Sequence, residues 1–192
     1  MKSLEQRICR DGKVLPGSII KVDGFLNHQV DTAFLGEIAD EFARKFDVSR
    51  VTKILTAEAS GIALAAICSF KYGVPMVFAK KARSANIDGS VYQSDIFSYT
   101  YKRKVTLVCS REWIGPEDRV LIVDDFMANG ESMRGLLDIV GQAGAELIGV
   151  GVAIEKGFQH GGDRLREQGV PLRSLAIIDA ADDSGFVFRK ND

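Results

Sequence analysis

One short run of residues constrains the fold of this chain more than any other. Four consecutive aliphatic residues at 120–123 lead into Asp124 and Asp125 and then into the small residues 128–130. A strand without a polar residue must be covered on both faces, which is typical of a parallel sheet flanked by helices. Because ligands bind at the carboxyl ends of such strands, the turn that follows is the first candidate for a functional site.

Similar apolar runs alternate with helical patterns along most of the chain. Runs with the length of buried strands lie at residues 53–57, 74–79, 147–154 and 172–178. The helical patterns are Phe34, Ile38, Phe42 and Phe46 after Asp31, the small apolar residues 60–70, the face Met133, Leu136, Leu137 and Val140 ahead of Gly144, and a short helix at 164–168. This alternation predicts an α/β fold with a mostly parallel sheet flanked by helices.

Two segments depart from the alternation. Residues 85–109 mix aromatic and polar residues, which predicts an antiparallel excursion or a flexible loop, and residues 92–101 are a candidate lid. Residues 1–30 precede the first predicted helix and contain the turn-like pair Pro16-Gly17, so we expect a small N-terminal hood over the sheet. At 192 residues the chain is predicted to form a single domain.

Charge and cysteine content exclude several functional classes. The 25 basic and 26 acidic residues nearly cancel, so we expect neither nucleic acid nor a membrane surface as a partner. No run reaches the length of a signal peptide's apolar core or the roughly 20 apolar residues of a membrane span. Cys9, Cys68 and Cys109 are too scattered for a disulfide framework or a zinc site. These features favour a cytoplasmic protein.

The turn after residue 123 has several features that suit a phosphorylated sugar. Small residues let backbone N–H groups converge on a phosphate, and the N-terminus of the next helix adds about half a positive charge. Asp124 and Asp125 can accept hydrogen bonds from vicinal ribose hydroxyls or hold Mg²⁺ through water. Taken alone, the acidic pair also fits a solvated strand end, and Ala128-Asn129-Gly130 also fits an ordinary turn capped by Asn129. The combination of the apolar strand, the acidic pair and the small-residue turn favours a functional site over these structural explanations.

Residues 120–132 are similar to the signature with which type I phosphoribosyltransferases bind 5-phosphoribosyl 1-diphosphate: an apolar strand, two acidic residues and a small-residue phosphate loop. Residues 21–29 and 153–158 also resemble segments of the bacterial members that act on xanthine, and the resemblance runs over essentially the whole chain. It implies a purine-salvage enzyme that joins a purine base, xanthine in those members, to the 5-phosphoribosyl group. It further implies Mg²⁺ with the diphosphate substrate, and a homodimer.

The resemblance also implies a role for individual residues. By this resemblance, the 5-phosphate is bound by Ala128, Asn129, Gly130, Glu131 and Ser132. By the same resemblance, Asp124 and Asp125 bind the ribose and act in catalysis, and the base is bound by Ile20, Asn27 and Lys156. Residue chemistry supports two of these: Lys156 follows a predicted strand and can donate to a 6-oxo group, and Asn27 can both donate and accept. By itself Lys156 also fits a solvated strand end. His28 is interpreted as a structural or surface histidine.

Two loops are assigned to the diphosphate. The family places backbone contacts at Glu58, Ala59, Ser60 and Gly61, where Ser60 stands in place of an arginine of the adenine-specific relatives. The neutralising charge would then come from Lys80, Lys81 and Arg83, and in relatives such a basic turn reaches the diphosphate of the neighbouring subunit. A solvated basic turn explains these three residues equally well. No residue is assigned as a direct metal ligand.

Three alternatives compete with this interpretation. Within the enzyme class the base could be guanine, hypoxanthine or adenine, because only Ile20, Asn27 and Lys156 constrain it. A nucleotide-sensing regulatory protein on the same fold would need a basic face or an added nucleic-acid-binding module, and the sequence has neither. A phosphate-accepting receiver domain would carry its acidic pair after the first strand, whereas Asp124 and Asp125 come late in the chain.

Overall fold

The computed structural model describes residues 1–17, 19–81, 90–98, 103–182 and 184–190. Its helices are α1 (Lys2–Asp11), α2 (Thr32–Lys45), α3 (Gly61–Tyr72), α4 (Glu131–Ala143) and α5 (Gly161–Glu167), with 3₁₀ turns at Val48–Arg50 and Gly157–Gln159. Its strands are β1 (Lys13–Leu15), β2 (Ile19–Lys21), β3 (Lys53–Ala57), β4 (Met76–Ala79), β5 (Val91–Ser98), β6 (Arg103–Ser110), β7 (Arg119–Met127), β8 (Glu146–Lys156), β9 (Leu172–Asp182) and β10 (Gly185–Phe188).

Six strands form the central sheet, in the order β10-β9-β8-β7-β3-β4. Strands β4, β3, β7, β8 and β9 run parallel, and β10 pairs antiparallel with β9 at the edge. In the middle of the sheet, β7 is buried from residue 120 to residue 123, as its wholly aliphatic sequence predicted. The predicted α/β fold, a mostly parallel sheet flanked by helices, is confirmed.

Helices cover both faces of the sheet. Leu35 of α2 and Leu64 of α3 pack with Leu121 and Val123 on one face, and α1 joins this layer. Leu136 of α4 packs with the alternate β7 residues on the other face. Successive side chains of a strand point to opposite faces, so β7 contributes to both layers of the core.

Local signals set the ends of the helices. Asp31 caps α2, and its carboxylate accepts a hydrogen bond from the Phe34 N–H at 3.1 Å, which fits its position before the periodic phenylalanines. Phe46 lies just beyond α2 in extended backbone, although its spacing placed it on the same helical face. Gly144 ends α4 as predicted, whereas the residue before α4 is Gly130 rather than Asn129.

Strands β5 and β6 form a separate antiparallel hairpin, so the antiparallel alternative for this segment is correct where the structure describes it. The hairpin packs on α4, where Arg134 Nη2 donates to Asp95 O at 2.6 Å and Gln142 Nε2 donates to Gln93 O at 2.8 Å. Tyr92 lies in the candidate lid and is buried. The end of that candidate, residues 99–101, and the basic residue Arg83 lie outside the described residues.

Residues 1–17 and 19–30 contain α1 and a two-stranded sheet of β1 and β2. The sequence did not predict α1, because Leu4 and Ile8 are its buried residues and two apolar positions among charges do not establish a periodicity. The helix packs against β9 and β10, at the side of the sheet away from β4. Within the described ranges, no helix has the length and hydropathy needed to cross a bilayer.

Candidate functional site

The sheet changes its direction of growth between β3 and β7. From β3 the chain crosses to β4 on one side, whereas β7, β8 and β9 are added on the other side. At such a switch point the loops after the two central strands diverge and leave a crevice. A cleft of about 310 Å³ opens there, and it is lined by Ala57, Glu58, Ser60, Lys81, Ile96, Phe97, Asp124, Phe126, Met127, Ala128, Asn129, Gly130, Glu131, Ser132, Met133 and Lys156.

Asp125 joins three distant parts of the chain beneath this cleft. Its side chain is 1% exposed, and its two carboxylate oxygens accept hydrogen bonds from Asn27 Nδ2 at 3.0 Å and from Ser60 Oγ at 2.8 Å. Asn27 comes from the segment before α2, and Ser60 comes from the loop after β3. The predicted base, diphosphate and ribose residues therefore meet at one carboxylate.

Asp124 is the second buried carboxyl, 7% exposed. Its Oδ1 accepts the Asp125 N–H at 3.1 Å. Burial raises the pKa of Asp124 well above its ordinary value of 3.8, and the neighbouring Asp125 charge raises it further, while the Lys81 ammonium acts in the opposite direction. The pair is thus an acidic centre in a low-dielectric environment, where hydrogen bonds from hydroxyl groups and nearby cations are strong.

The loop after β7 has the geometry of a phosphate site. Gly130 adopts φ 83, which L residues rarely do, and leads directly into the thirteen-residue helix α4. The carboxylate of Glu131 is turned to the hairpin, where its Oε2 accepts the Phe97 N–H and Arg134 Nη2, each at 3.2 Å. Glu131 can therefore serve a phosphate only through its backbone, while Asn129 and Ser132 line the cleft.

Lys156, the last residue of β8, also lines the cleft and is half-buried. Burial lowers the pKa of its ammonium group. Its Nζ lies 5.5 Å from the centroid of the Phe126 ring, within the range of a cation–π contact. No role was predicted for Phe126, although it is the aromatic residue between the acidic pair and the small residues 128–130.

The two loops assigned to the diphosphate are neighbours. Glu58 Oε1 accepts the Lys81 N–H at 2.6 Å, which joins the loop after β3 to the residues after β4. The Glu58–Ala59 peptide bond is cis, and Gly61 begins α3. Lys81 lines the cleft, whereas Lys80 lines a neighbouring cavity and pairs through its backbone with Val108.

Some predicted base residues lie beside the cleft. Ile20 is buried in the core layer that contains α1, α2 and α3, and it is not among the lining residues. Asn27 reaches the site through its bond to Asp125. His28 is exposed, as interpreted from the sequence.

A larger cavity of about 650 Å³ lies between β4 and β6. Its lining includes Lys53, Phe78 and Trp113. The Lys53 ammonium already donates to Trp113 O at 2.6 Å and lies 3.4 Å from Asp118. Among the described residues that line this larger cavity there is no acidic pair and no helix N-terminus, so the smaller cleft at the switch point is the better candidate site.

Helix α5 supports the phosphate loop from behind. A Cβ added to Gly161 would lie 2.3 Å from Ala128 O, so the start of α5 is in direct contact with the loop. Arg164 of the same helix donates from Nη2 to Asn129 O at 3.0 Å. Nothing in the sequence marked Arg164, because the contact depends on how α5 packs.

Known proteins show the same fold and the same sequence pattern. The phosphoribosyl transferase domain matches residues 29–187. The xanthine phosphoribosyltransferase of Lachnoclostridium phytofermentans is 50% identical, over 98% of both chains. Xanthine phosphoribosyltransferase 1 of Clostridium perfringens (strain 13 / Type A) is 49% identical, over 98% of this chain and 100% of its own.

Solved structures agree at the level of the fold. The adenine phosphoribosyl transferase of Trypanosoma brucei, solved with AMP, pyrophosphate and ribose-5-phosphate, superposes with a TM-score of 0.77 at 20% identity, covering 95% of this chain and 82% of that one. The adenine phosphoribosyltransferase of Rhodothermus marinus superposes with a TM-score of 0.74 at 21% identity, covering 93% of this chain and 100% of that one. With the acidic pair, the phosphate loop and the match over residues 29–187 together, the chain belongs to the phosphoribosyl transferase domain family.

Proposed function

We propose that this chain transfers the 5-phosphoribosyl group of 5-phosphoribosyl 1-diphosphate to xanthine, giving xanthosine 5′-monophosphate and diphosphate. The observation that carries the reaction class is the buried acidic pair beside a glycine-containing loop that leads into α4, at the switch point of the sheet. The relatives support the choice of base, since proteins named xanthine phosphoribosyltransferase are 45% to 50% identical over nearly the full chain.

The sugar phosphate would be bound by the turn between β7 and α4. Backbone N–H groups of residues 128–132 stand at the positive end of the α4 dipole, which favours a bound phosphate. Asp124 and Asp125 would accept hydrogen bonds from the two vicinal ribose hydroxyls. Ribose and 5-phosphate would thus be held by one continuous segment.

The base would lie between Lys156 and the acidic pair. The Lys156 ammonium would donate to the 6-oxo group, and the Phe126 ring beside it offers a face for the purine. Asn27 would donate to the 2-oxo group, which separates xanthine from guanine. Asn27 is exposed in the structure, and the bound base would cover it; facing the guanine amino group, its donor would then be left unpaired. Residues 1–30, including Ile20, would form the hood of a single-domain enzyme.

The leaving diphosphate would lie against the loop at residues 58–61. Lys81 is the cation among the described residues that lines the cleft next to this loop. Lys80 and Arg83 extend the basic segment, and we propose that this segment reaches the diphosphate of a second copy in a homodimer.

Mg²⁺ fits this edge of the sheet. The described part of the chain groups no three side chains into a metal site, but Mg²⁺ commonly takes most of its ligands from substrate oxygens and water, with one or two carboxylates. Asp124 and Asp125 would provide the carboxylates, directly or through water. When bound, Mg²⁺ would neutralise charge on the diphosphate.

These groups would support a direct displacement at the anomeric carbon. A purine nitrogen forms a bond to this carbon as the bond to the diphosphate oxygen breaks, and positive charge develops on the ribose ring. The purine loses one N–H proton to water in the same conversion. The protein would orient base and sugar in line, stabilise the departing charge through Lys81 and exclude water. We place this activity in the cytoplasm, because Cys9, Cys68 and Cys109 all carry free thiols.

A spectrophotometric assay with each purine, the sugar diphosphate and Mg²⁺ tests the proposal. Xanthine should give the highest kcat/KM, at least about tenfold above guanine. The reason is that a donor of the protein facing the guanine amino group loses a hydrogen bond, which lowers kcat/KM by about tenfold or more. Equal kcat/KM for xanthine and guanine would reject the assignment of the base while leaving the reaction class intact. Failure with every purine, in a preparation that is folded by circular dichroism, would reject the reaction class.

A further inference from the structure

Helix α5 bonds to the backbone of the phosphate loop through one arginine. Arg164 Nη2 donates to Asn129 O at 3.0 Å, across 35 residues of sequence. The start of α5 touches the same peptide, because a Cβ on Gly161 would lie 2.6 Å from Asn129 C and 2.7 Å from Gly130 N. Contacts with α5 therefore hold the Asn129–Gly130 peptide in position.

Holding the Asn129 carbonyl also orients an N–H group. In a trans peptide the C=O and the N–H of the next residue point in opposite directions. With Asn129 O directed at the Arg164 guanidinium, the Gly130 N–H is directed away from it. Gly130 has φ 83 and precedes α4, so it tolerates several orientations that the hydrogen bond would restrict to one.

Arg164 also brings positive charge to a loop that has none. Residues 128–132 contain one charged side chain, the acidic Glu131. Burial acts to raise the pKa of Glu131, but the bonds from the Phe97 N–H and Arg134, together with the charge of Arg164, lower it overall. The positive charge of Arg164 therefore acts on the first turn of α4. A phosphate dianion bound there would be stabilised by the same charge.

Ion pairs fix the helix that carries Arg164. α5 has seven residues, too few for a stable isolated helix. Arg166 binds the fully buried Glu155 through two bonds, Nη1 to Oε1 at 3.1 Å and Nη2 to Oε2 at 2.5 Å. Arg189 binds Asp163 at 2.6 Å from the other side. These ion pairs hold α5 in place, and with it the backbone of Arg164.

We propose that Arg164 is a positioning residue for the 5-phosphate: it holds the Asn129 carbonyl so that the loop presents its N–H groups in one arrangement, and it adds positive charge beside them. The inference rests on the proposed function, since it concerns the phosphate of the sugar substrate.

The test is Arg164→Ala in the full chain. KM for 5-phosphoribosyl 1-diphosphate should rise about tenfold, the loss expected for one hydrogen bond from a charged donor, while kcat and KM for xanthine stay within about twofold. Inhibition by xanthosine 5′-monophosphate should weaken by the same factor, and inhibition by xanthosine, which lacks the phosphate, should not change. Arg164→Lys, which keeps a cationic donor, should recover a large part of the loss.

Arg173→Ala is the matched control. Arg173 is also an exposed arginine that donates to a backbone carbonyl, Leu172 O at 3.2 Å, but it lies at the amino end of β9. Unchanged KM for the sugar diphosphate in Arg164→Ala, or an equal loss for xanthosine and its monophosphate, would overturn the inference. A wild-type protein that binds no phosphorylated sugar would instead overturn the proposed function.

Discussion

Asp124 and Asp125 are adjacent in sequence but have different environments. Both oxygens of Asp125 accept hydrogen bonds, from Asn27 and Ser60, whereas the pKa of Asp124 is raised by burial and by the charge beside it. A carboxyl group that is costly to ionise in the folded protein is kept where hydroxyl groups and Mg²⁺ would bind. The two residues are therefore expected to respond differently to substitution.

Asp124→Asn should stabilise the protein while it lowers the activity. A folded-state pKa above the unfolded value means that the folded chain keeps a proton that the unfolded chain has lost, so this group's contribution to stability falls as pH rises above about 4. Asparagine removes that cost and can still accept the Asp125 N–H. The thermal midpoint should exceed that of wild type at about pH 8, with the gap closing toward about pH 4, and kcat should fall on the order of a hundredfold.

Thermal unfolding followed by circular dichroism across this pH range measures the effect. A midpoint below that of wild type at every pH would show that neighbouring groups stabilise the Asp124 charge more than burial penalises it. Asp138→Asn is a suitable control, because Asp138 is an exposed residue of α4 outside the buried pair, and its replacement should change the thermal midpoint little.

At the scale of elements, the short helix α5 connects the end of β8 to the loop at residues 128–130. Glu155 precedes Lys156 on β8, and its carboxylate is bound by Arg166 of α5 and by the Ser174 hydroxyl of β9. The same helix touches the phosphate loop through Gly161. Its position therefore depends on a buried ion pair rather than on its own helical propensity.

Arg166→Met should lower the free energy of unfolding by about 3–5 kcal/mol, because it leaves the buried Glu155 carboxylate without its cation. Adding Glu155→Gln should recover a large part of the loss, since the remaining amide is neutral. Urea unfolding measures both changes. The control is Arg173→Met, which should stay within about 0.5 kcal/mol of wild type because the side chain is exposed; a similar loss in that control would argue against the ion pair.

At the scale of the whole molecule, the sequence predicted what depends on nearby residues. The aliphatic run of β7 and the periodic face of α4 indicated a parallel sheet covered by helices, which is confirmed. They also indicated the site at the end of β7, and that site stays a prediction. Contacts between distant segments could not be predicted from the sequence. Asn27 meets Asp125 across 98 residues, Arg164 meets Asn129 across 35, and no local pattern carries either pairing. Helix α1 was missed because it is stabilised by packing on β9 and β10.

The three cysteines should report on the integrity of the whole fold. Cys9 is exposed, whereas burial raises the pKa of Cys68 to about 12 and that of Cys109 to about 11, the nearby Lys53 acting against the second shift. Thiolates are the reactive species. Titration with a chromogenic disulfide at about pH 8 should therefore modify one thiol per chain rapidly and the other two on denaturation. Cys9→Ser should abolish the rapid phase; if it persists, the core is more open than described.

The three-way contact at Asp125 has a consequence for how the two substrates influence each other. A ribose hydroxyl bonded to Asp125 Oδ2 would share that oxygen with the Asn27 amide, weaken the bond to the amide and leave it free to turn toward the purine. Sugar and base would then be thermodynamically linked, and reciprocity requires each to raise the affinity of the other by the same factor. Cooperation between the two ligands would thus originate in a single shared carboxylate oxygen.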